Sequence, residues 1–348
     1  MRVLNIIGGL MNFGGVESYI LNNIKVLHNE NISFGILCQA VGEGRYDEEL
    51  RGYGVDIYNI PTQDKKALKK FFDANKFDIV HIHSYSCRNY YVAKIAKQSS
   101  KKIIYHCHNS NVGNKLANVV GRFFLSRYGV IKCACGQKAA EWAFGRRLLH
   151  QVKILNNSIF ADQFEYSESL RKSIRTELNI TDEFCLMHIG RFSIEKNHKF
   201  LLEIMDNIKE KKVILLLVGD GELKGDVEQI AKQKRLLNNV VFLGRRENIN
   251  ELLLAADVLL LPSFNEGFPI VMIESQATNL PIIASEYVSE ETKINDNVYF
   301  LPLLAEEWIQ KLMAINTVRD SKVYTLTEAG YNVVHEAPKL LEFYRNII

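Results

Sequence analysis

Short apolar runs of strand length alternate along this chain with longer stretches in which apolar residues recur at helical spacing. Residues 3–7 are such a run. After a glycine-rich loop, Val16, Ile20, Ile24 and Leu27 fall on one helical face. The same reading predicts strands over 32–38, 55–60, 78–83, 102–106, 130–135 and 152–155. A second series follows over 185–189, 213–218, 240–243, 258–261, 282–284 and 298–301, with helical patterns at 196–210, 223–235, 249–256 and 270–278. Near-continuously apolar strands separated by helices imply parallel sheets covered on both faces. The expectation is an α/β chain of two doubly wound, Rossmann-like domains facing a cleft. Residues 1–158 would form the first and 159–334 the second, with a linker over 156–162. In such folds ligands gather at the carboxyl ends of the strands.

A chain of 348 residues is long enough for two cores, and 47% apolar content with six prolines excludes a disordered or fibrous protein. No apolar run reaches the ~18 residues of a membrane-spanning helix. The first seven residues, broken by Gly8-Gly9, are too short for a signal peptide. Charge is more telling. The net +3 conceals 21 Lys/Arg against 11 Asp/Glu in residues 1–150, and 22 against 29 beyond. Between 79 and 150 there are 12 basic residues and one acid, Glu141. Such a field implies an anionic partner: nucleic acid, a phosphate-bearing substrate or an acidic membrane surface. Residues 115–128 mix apolar and basic side chains at helical spacing, as membrane-surface helices do, with Lys115, Arg122 and Arg127 as the basic positions. The alternative for this stretch is a half-buried helix with a solvated basic face. Nucleic acid is disfavoured for want of a recognition motif. The six cysteines show no C-x-x-C spacing and fall mostly in strands, where small buried hydrophobes belong. A cytoplasmic location is expected.

Four segments at strand ends carry candidate chemistry. Gly14-Gly15 opens the first helix, where backbone amides can approach an anion, but the spacing does not match G-x-G-x-x-G. His81/His83 and His106/His108 end two strands. They read as metal ligands, as hydrogen bonders with His108-Asn109-Ser110 as the exposed end, or as core histidines, the last favoured for His81 and His106. No Asp-x-Asp occurs anywhere, which weakens a metal-bound diphosphate; no metal is expected. Arg191 ends a strand and can fork onto a phosphate, Lys196 adds a point charge in the next helix, and Ser193 is placed to cap that helix. The sharpest segment runs from Pro262 to Glu274. Gly267 exposes amides, Pro269 fits a first helical turn, and Glu266 and Glu274 flank the resulting anion site across about 12 Å of helical rise. Carboxylates suit paired hydroxyls, and Glu274 stands in the otherwise apolar Ile270-Val271-Met272-Ile273 helix. Gly219 and Arg245 sit in strand-end loops that could frame a base.

These residues resemble the retaining glycosyltransferases of family 4, which have the GT-B fold. Gly14-Gly15-Val16-Glu17 looks like the family's glycine loop, Gly190-Arg191 through Lys196 like its phosphate-binding pair, and Glu266 with Glu274 like its E-x7-E signature. His106-Cys107-His108-Asn109-Ser110 is similar to the HSHN segment of bacterial capsule and exopolysaccharide transferases. The resemblance implies that Glu274 holds ribose hydroxyls and Glu266 a sugar hydroxyl. Arg191, Lys196 and amides near Phe268, Pro269 and Ile270 would neutralise the departing diphosphate. Gly15 would approach phosphate or acceptor, and His108 would sit near the transferring sugar. It further implies a metal-independent enzyme without a cofactor, using a UDP-sugar donor, and a final helix, here 335–348, crossing back to the first domain. The tail from about residue 303 is short for the family. The expected function is transfer of a hexose or N-acetylhexosamine to a lipid-linked oligosaccharide in surface polysaccharide assembly, at the inner face of the membrane. A GT-B epimerase, a transferase with a soluble acceptor and a non-catalytic nucleotide-sugar-binding subunit are the alternatives. Intact Arg191, Lys196, Glu266 and Glu274 count against the last.

Overall fold

The structure, a computed structural model, describes residues 1–61, 63–109, 115–266 and 268–348. Its contacts divide the chain into two units, Met1–Phe160 with Gly330–Ile348, and Ala161–Ala329.

The first unit runs β1 (Arg2–Ile7), α1 (Gly15–Leu27), β2 (Ser33–Cys38), α2 (Asp47–Gly52), β3 (Asp56–Asn59), α3 (Lys65–Ala74) and β4 (Phe77–Ser84). It continues with α4 (Tyr90–Ala96), β5 (Ser100–Cys107), α5 (Lys115–Arg127), β6 (Ile131–Ala134), α6 (Gln137–Phe144) and β7 (Val152–Ile154). The second unit runs α7 (Glu168–Glu177), β8 (Phe184–Ile189), α8 (His198–Ile208), β9 (Val213–Val218), α9 (Lys224–Gln233), β10 (Val240–Gly244) and α10 (Ile249–Ala255). It ends with β11 (Val258–Leu261), α11 (Ile270–Ala277), β12 (Ile282–Ser285), β13 (Val298–Leu301), α12 (Ala305–Ala314) and α13 (Val323–Glu328), after which α14 (Val333–Ile347) rejoins the first unit.

Every apolar run read as a strand forms one, and every described pairing is parallel. The strand orders are 3-2-1-4-5-6-7 and 10-9-8-11-12-13. Strand periodicity explains why both faces are apolar. In β1, Val3 and Ile7 join a core with α1 and α14, while Leu4 and Ile6 join the opposite core with α3, α4 and α5. In the second unit, α8, α9 and α12 cover one face through Leu201, Met205, Val227, Trp308 and Leu312. All six cysteines are buried, as small hydrophobes should be.

Two helix boundaries differ from expectation. α14 starts at Val333, two residues before the expected 335, capped by the Asn332 side chain, and Pro338 lies inside it. Proline removes one N–H, leaving the Val334 carbonyl without its helical donor, and Val334 is exposed enough for water to serve instead. Ser193 does not cap α8. It precedes a single 3-10 turn, Ile194–Lys196, and makes no capping bond; α8 begins only at His198, after Asn197 in the left-handed region.

Candidate functional site

In the second unit the loops after β8, β9 and β11 carry the predicted donor residues. Lys196 Nζ pairs with Glu266 Oε1, both side chains being mostly buried at 20% and 16% exposure. Ser263 Oγ also donates to that oxygen, at 3.3 Å. The backbone of Glu266 is bridged to Val288, and Ser285 Oγ donates to the Ser263 carbonyl, so the loop after β11 is held from two sides. Lys196 belongs to the 3-10 turn and not to α8, a correction to its expected place. Arg191 is exposed and lies against Glu222, at 3.1 Å and 3.0 Å, a partner sequence reading did not single out. Arg245 meets Asp220 at 3.6 Å.

Two glycines explain how closely these loops pack. Gly219, at φ 140°, donates to Gly244, and a Cβ there would overlap the Gly190 carbonyl. Gly221, at φ 159°, leaves no room for a Cβ against the Phe192 backbone. Only glycine allows this approach.

Phe268 and Ile270 are half-buried and Pro269 is buried, with the α11 helix starting directly after it. Gly267 lies outside the described residues. As in any α-helix, the first-turn N–H groups of α11 have no acceptor within the helix. Glu274 is half-buried among the buried Val271, Met272, Ile273, Ser275 and Gln276, and burial pushes its carboxyl up to about 7. Among the described residues no cation pairs with it, and a carboxyl buried in this way is costly unless it finds hydrogen-bond donors.

In the first unit, β1, β4 and β5 place Asn5, His81, His83, His106 and His108 on one sheet face, because each alternates with residues of the opposite core. His81 Nδ1 shares a hydrogen bond of 2.7 Å with the Tyr344 hydroxyl, and its Nε2 one of 3.2 Å with His106 Nδ1. His83 bonds His108 Nε2 at 2.8 Å and Asn5 Oδ1 at 2.9 Å. Tyr19 packs its ring on three of them. Donor atoms of His81, His83 and His106 lie within 4.8 Å of one another; both nitrogens of His81 and of His83 are bonded, as is His106 Nδ1, while the buried His106 Nε2 has no hydrogen-bond partner among the described residues. Burial holds His81 and His108 at about 3 and drives His83 and His106 well below the usual range, so all four are neutral.

The histidine expectation therefore changes at one position. His108 is not an exposed strand end; it is buried, because α1 covers that face with Tyr19. Ser110 lies outside the described residues. Gly15 opens α1 with open space where a Cβ would stand.

On α5, Leu116, Val119, Val120 and Phe123 form a continuous exposed apolar stripe, with Lys115 and Arg127 exposed beside it and Arg127 over the Phe123 ring at 4.2 Å. Arg122 does not belong to this face. Its guanidinium turns inward and donates to the Ala143 carbonyl at 3.1 Å and the Trp142 carbonyl at 2.9 Å, at the carboxyl end of α6. No helix among the described residues is long and apolar enough to cross a membrane.

Two Rossmann-like units, one of them with Arg191, Lys196 and Glu266 in loops at strand ends, have the frame of a group-transfer enzyme. Comparison with known proteins places it further. Residues 13–153 match the model of Glycosyltransferase Family 4, and residues 171–300 that of Glycosyl transferases group 1. The chain belongs to the family 4 glycosyltransferases of the GT-B fold. It is 28% identical to EpsF of Bacillus subtilis (strain 168), named as a glycosyltransferase, over 99% of this chain and 96% of that one. It is 23% identical to the Escherichia coli UDP-Gal:alpha-D-GlcNAc-diphosphoundecaprenol alpha-1,3-galactosyltransferase, over 96% and 94%. The solved structure of Anabaena HepE in complex with UDP and glucose superposes with a TM-score of 0.78 at 17% identity, covering 99% of this chain and 100% of that one.

Proposed function

We propose that this glycosyltransferase moves a hexose or N-acetylhexosamine, with retention and without a metal or other cofactor, from a UDP-sugar to a lipid-linked oligosaccharide in surface polysaccharide assembly. The observation that carries the reading is the Lys196–Glu266 pair beside α11, with Glu274 one face further along that helix. Lys196 and Arg191 take the diphosphate, Glu266 a sugar hydroxyl and Glu274 the ribose hydroxyls. The first-turn amides of α11, from Ile270, add donors and the positive end of the helix dipole. Gly219 and Arg245 frame the base.

Catalysis then rests on stabilising the leaving nucleotide and positioning the sugar; no protein nucleophile is assigned. His108, buried and bonded to His83 through Nε2, would stand near the transferring sugar. The E. coli relative named above uses a UDP-sugar and an undecaprenyl-diphosphate acceptor, and HepE was solved with UDP, which supports both halves of the reading. The exposed stripe of α5, with Lys115 and Arg127, would rest on the anionic inner face of the membrane where such an acceptor lies.

A donor screen tests the reading. UDP-glucose, UDP-galactose, their N-acetyl forms and GDP-mannose are compared for hydrolysis and for transfer to a lipid-linked acceptor. Turnover of a UDP-sugar with product in the lipid fraction is expected; turnover confined to GDP-mannose, or to soluble acceptors, would overturn it.

A further inference from the structure

Next to the Lys196–Glu266 pair, two backbone segments of the second unit are laced together. The Phe264 amide donates to the Glu195 carbonyl at 2.8 Å. Asn197 Nδ2 donates to the Pro262 carbonyl at 3.2 Å. Asn197 has φ 53° and ψ 47°, a left-handed conformation that asparagine tolerates better than most residues. Its amide closes the 3-10 turn onto Ile194 at 3.2 Å, and its carbonyl accepts from Phe200 at 3.1 Å as α8 begins. Glycine would make this turn at least as easily. What asparagine adds is the side-chain bond to Pro262.

We propose that Asn197 is a positioning residue that fixes the separation of Lys196 and Glu266, and so couples recognition of the diphosphate to recognition of the sugar. The proposal rests on the roles given to those two residues above. In the empty protein their charged tips meet directly. A bound donor must part them, since Lys196 then faces phosphate and Glu266 faces a hydroxyl. The ties that still join the two segments include the Phe264–Glu195 bond and the Asn197 amide. With that amide gone, the Glu266 loop keeps its links to Val288 and Ser285 but loses one of its links to the Lys196 turn. A ligand touching only one side should not notice; a ligand spanning both should.

The test is calorimetry on the full chain with UDP, UDP-glucose, UDP-galactose and UDP-N-acetylglucosamine. Wild type is compared with Asn197→Gly, which keeps the turn but not the bond, and Asn197→Asp, which tolerates the turn but cannot donate. Both variants are expected to hold UDP within about twofold of wild type. Both should lose about three- to tenfold on the sugar nucleotide that wild type prefers, the scale of one neutral hydrogen bond. The thermal midpoint of Asn197→Gly should not fall. Equal losses on UDP and the sugar nucleotide, or no loss on either, would overturn the proposal. Glu266→Gln separates the two ideas. If it leaves the preference for a sugar nucleotide intact, the role of Glu266 itself fails. If it erases that preference while both Asn197 variants keep it, only the positioning role fails.

Discussion

In the proposed donor site a single carboxyl should set the pH behaviour. Glu274, raised by burial to about 7, is largely protonated in the empty protein below that pH. In its proposed role Glu274 accepts from two ribose hydroxyls, which favours the ionised form, so binding would draw the proton off. UDP affinity should therefore rise with pH, by up to about tenfold per unit below 7, and level off above it. Glu274→Gln should remove that dependence and leave only the titration of the phosphate itself. Calorimetry across pH 5.5 to 8.5 measures both. Glu274→Ala and Arg191→Ala should each weaken UDP binding by about 1–3 kcal/mol; unchanged affinity in both would remove the assignment. Glu274 was legible because a carboxylate in an apolar helix stands out in any sequence. Glu222 and Asn197 were not, since an exposed acid and a turn asparagine look like ordinary loop residues until their partners Arg191 and Pro262 are placed.

At the scale of an element, α5 shows how a correct pattern can be assigned to the wrong side chains. Its alternation of apolar and basic residues was visible in the sequence. Which basic residues face outward depended on neighbours far away in the chain. Asn118 is buried, donating to the Trp142 carbonyl and accepting from the Cys87 amide at 2.7 Å in each case. Gly121 sits against the Cys87 carbonyl with no room for a Cβ. These contacts fix the helix rotation and turn Arg122 toward α6, leaving Lys115 and Arg127 outside. Sedimentation with phosphatidylglycerol vesicles should show binding that falls with salt, with Lys115→Gln/Arg127→Gln and with Phe123→Asp; binding indifferent to all three would dismiss the membrane role. Arg122→Ala should act differently. It should destabilise the fold by about 1.5–3 kcal/mol in denaturant melts, through two lost charged hydrogen bonds to carbonyls, without a specific effect on vesicles. The strands were legible for the opposite reason. Parallel strands buried on both faces are apolar throughout, whatever lies beside them.

Across the molecule burial keeps six histidines neutral, four in the first unit and two in the second, His188 and His198, the latter held at about 4. Groups depressed in this way contribute stability that is full above their unfolded value of about 6.5 and is lost as pH falls toward the folded values. Burial raises Glu17 in the first unit and raises Glu274 in the second to about 7, and both shifts oppose this. Net proton uptake on unfolding between about pH 5 and 6 is then larger for the first unit, with four such histidines, than for the second, with two and a raised Glu274. Trp142 lies in the first unit and Trp308 in the second, so single-tryptophan variants report them separately. Urea melts should show the first unit losing stability on acidification more steeply than the second. Equal slopes would mean that the buried histidines are already charged. Sequence reading anticipated the paired His-x-His strands, but not that Asn5, Tyr19 and Tyr344 would enclose them. Those contacts join positions up to 263 residues apart, and strand periodicity carries no information at that range.

Tyr344 also bears on how the chain is made. It lies in the core of the first unit with Val333, Ala337, Leu340 and Leu341 of α14, and its hydroxyl closes the histidine chain at His81. The unit whose first strand leaves the ribosome earliest cannot finish its core until the last helix has been synthesised. The second unit, wholly contained in Ala161–Ala329, needs nothing from either end. Order of emergence and order of completion are therefore reversed, and during translation the β4 and β5 histidines wait, uncapped, for a partner more than two hundred residues downstream.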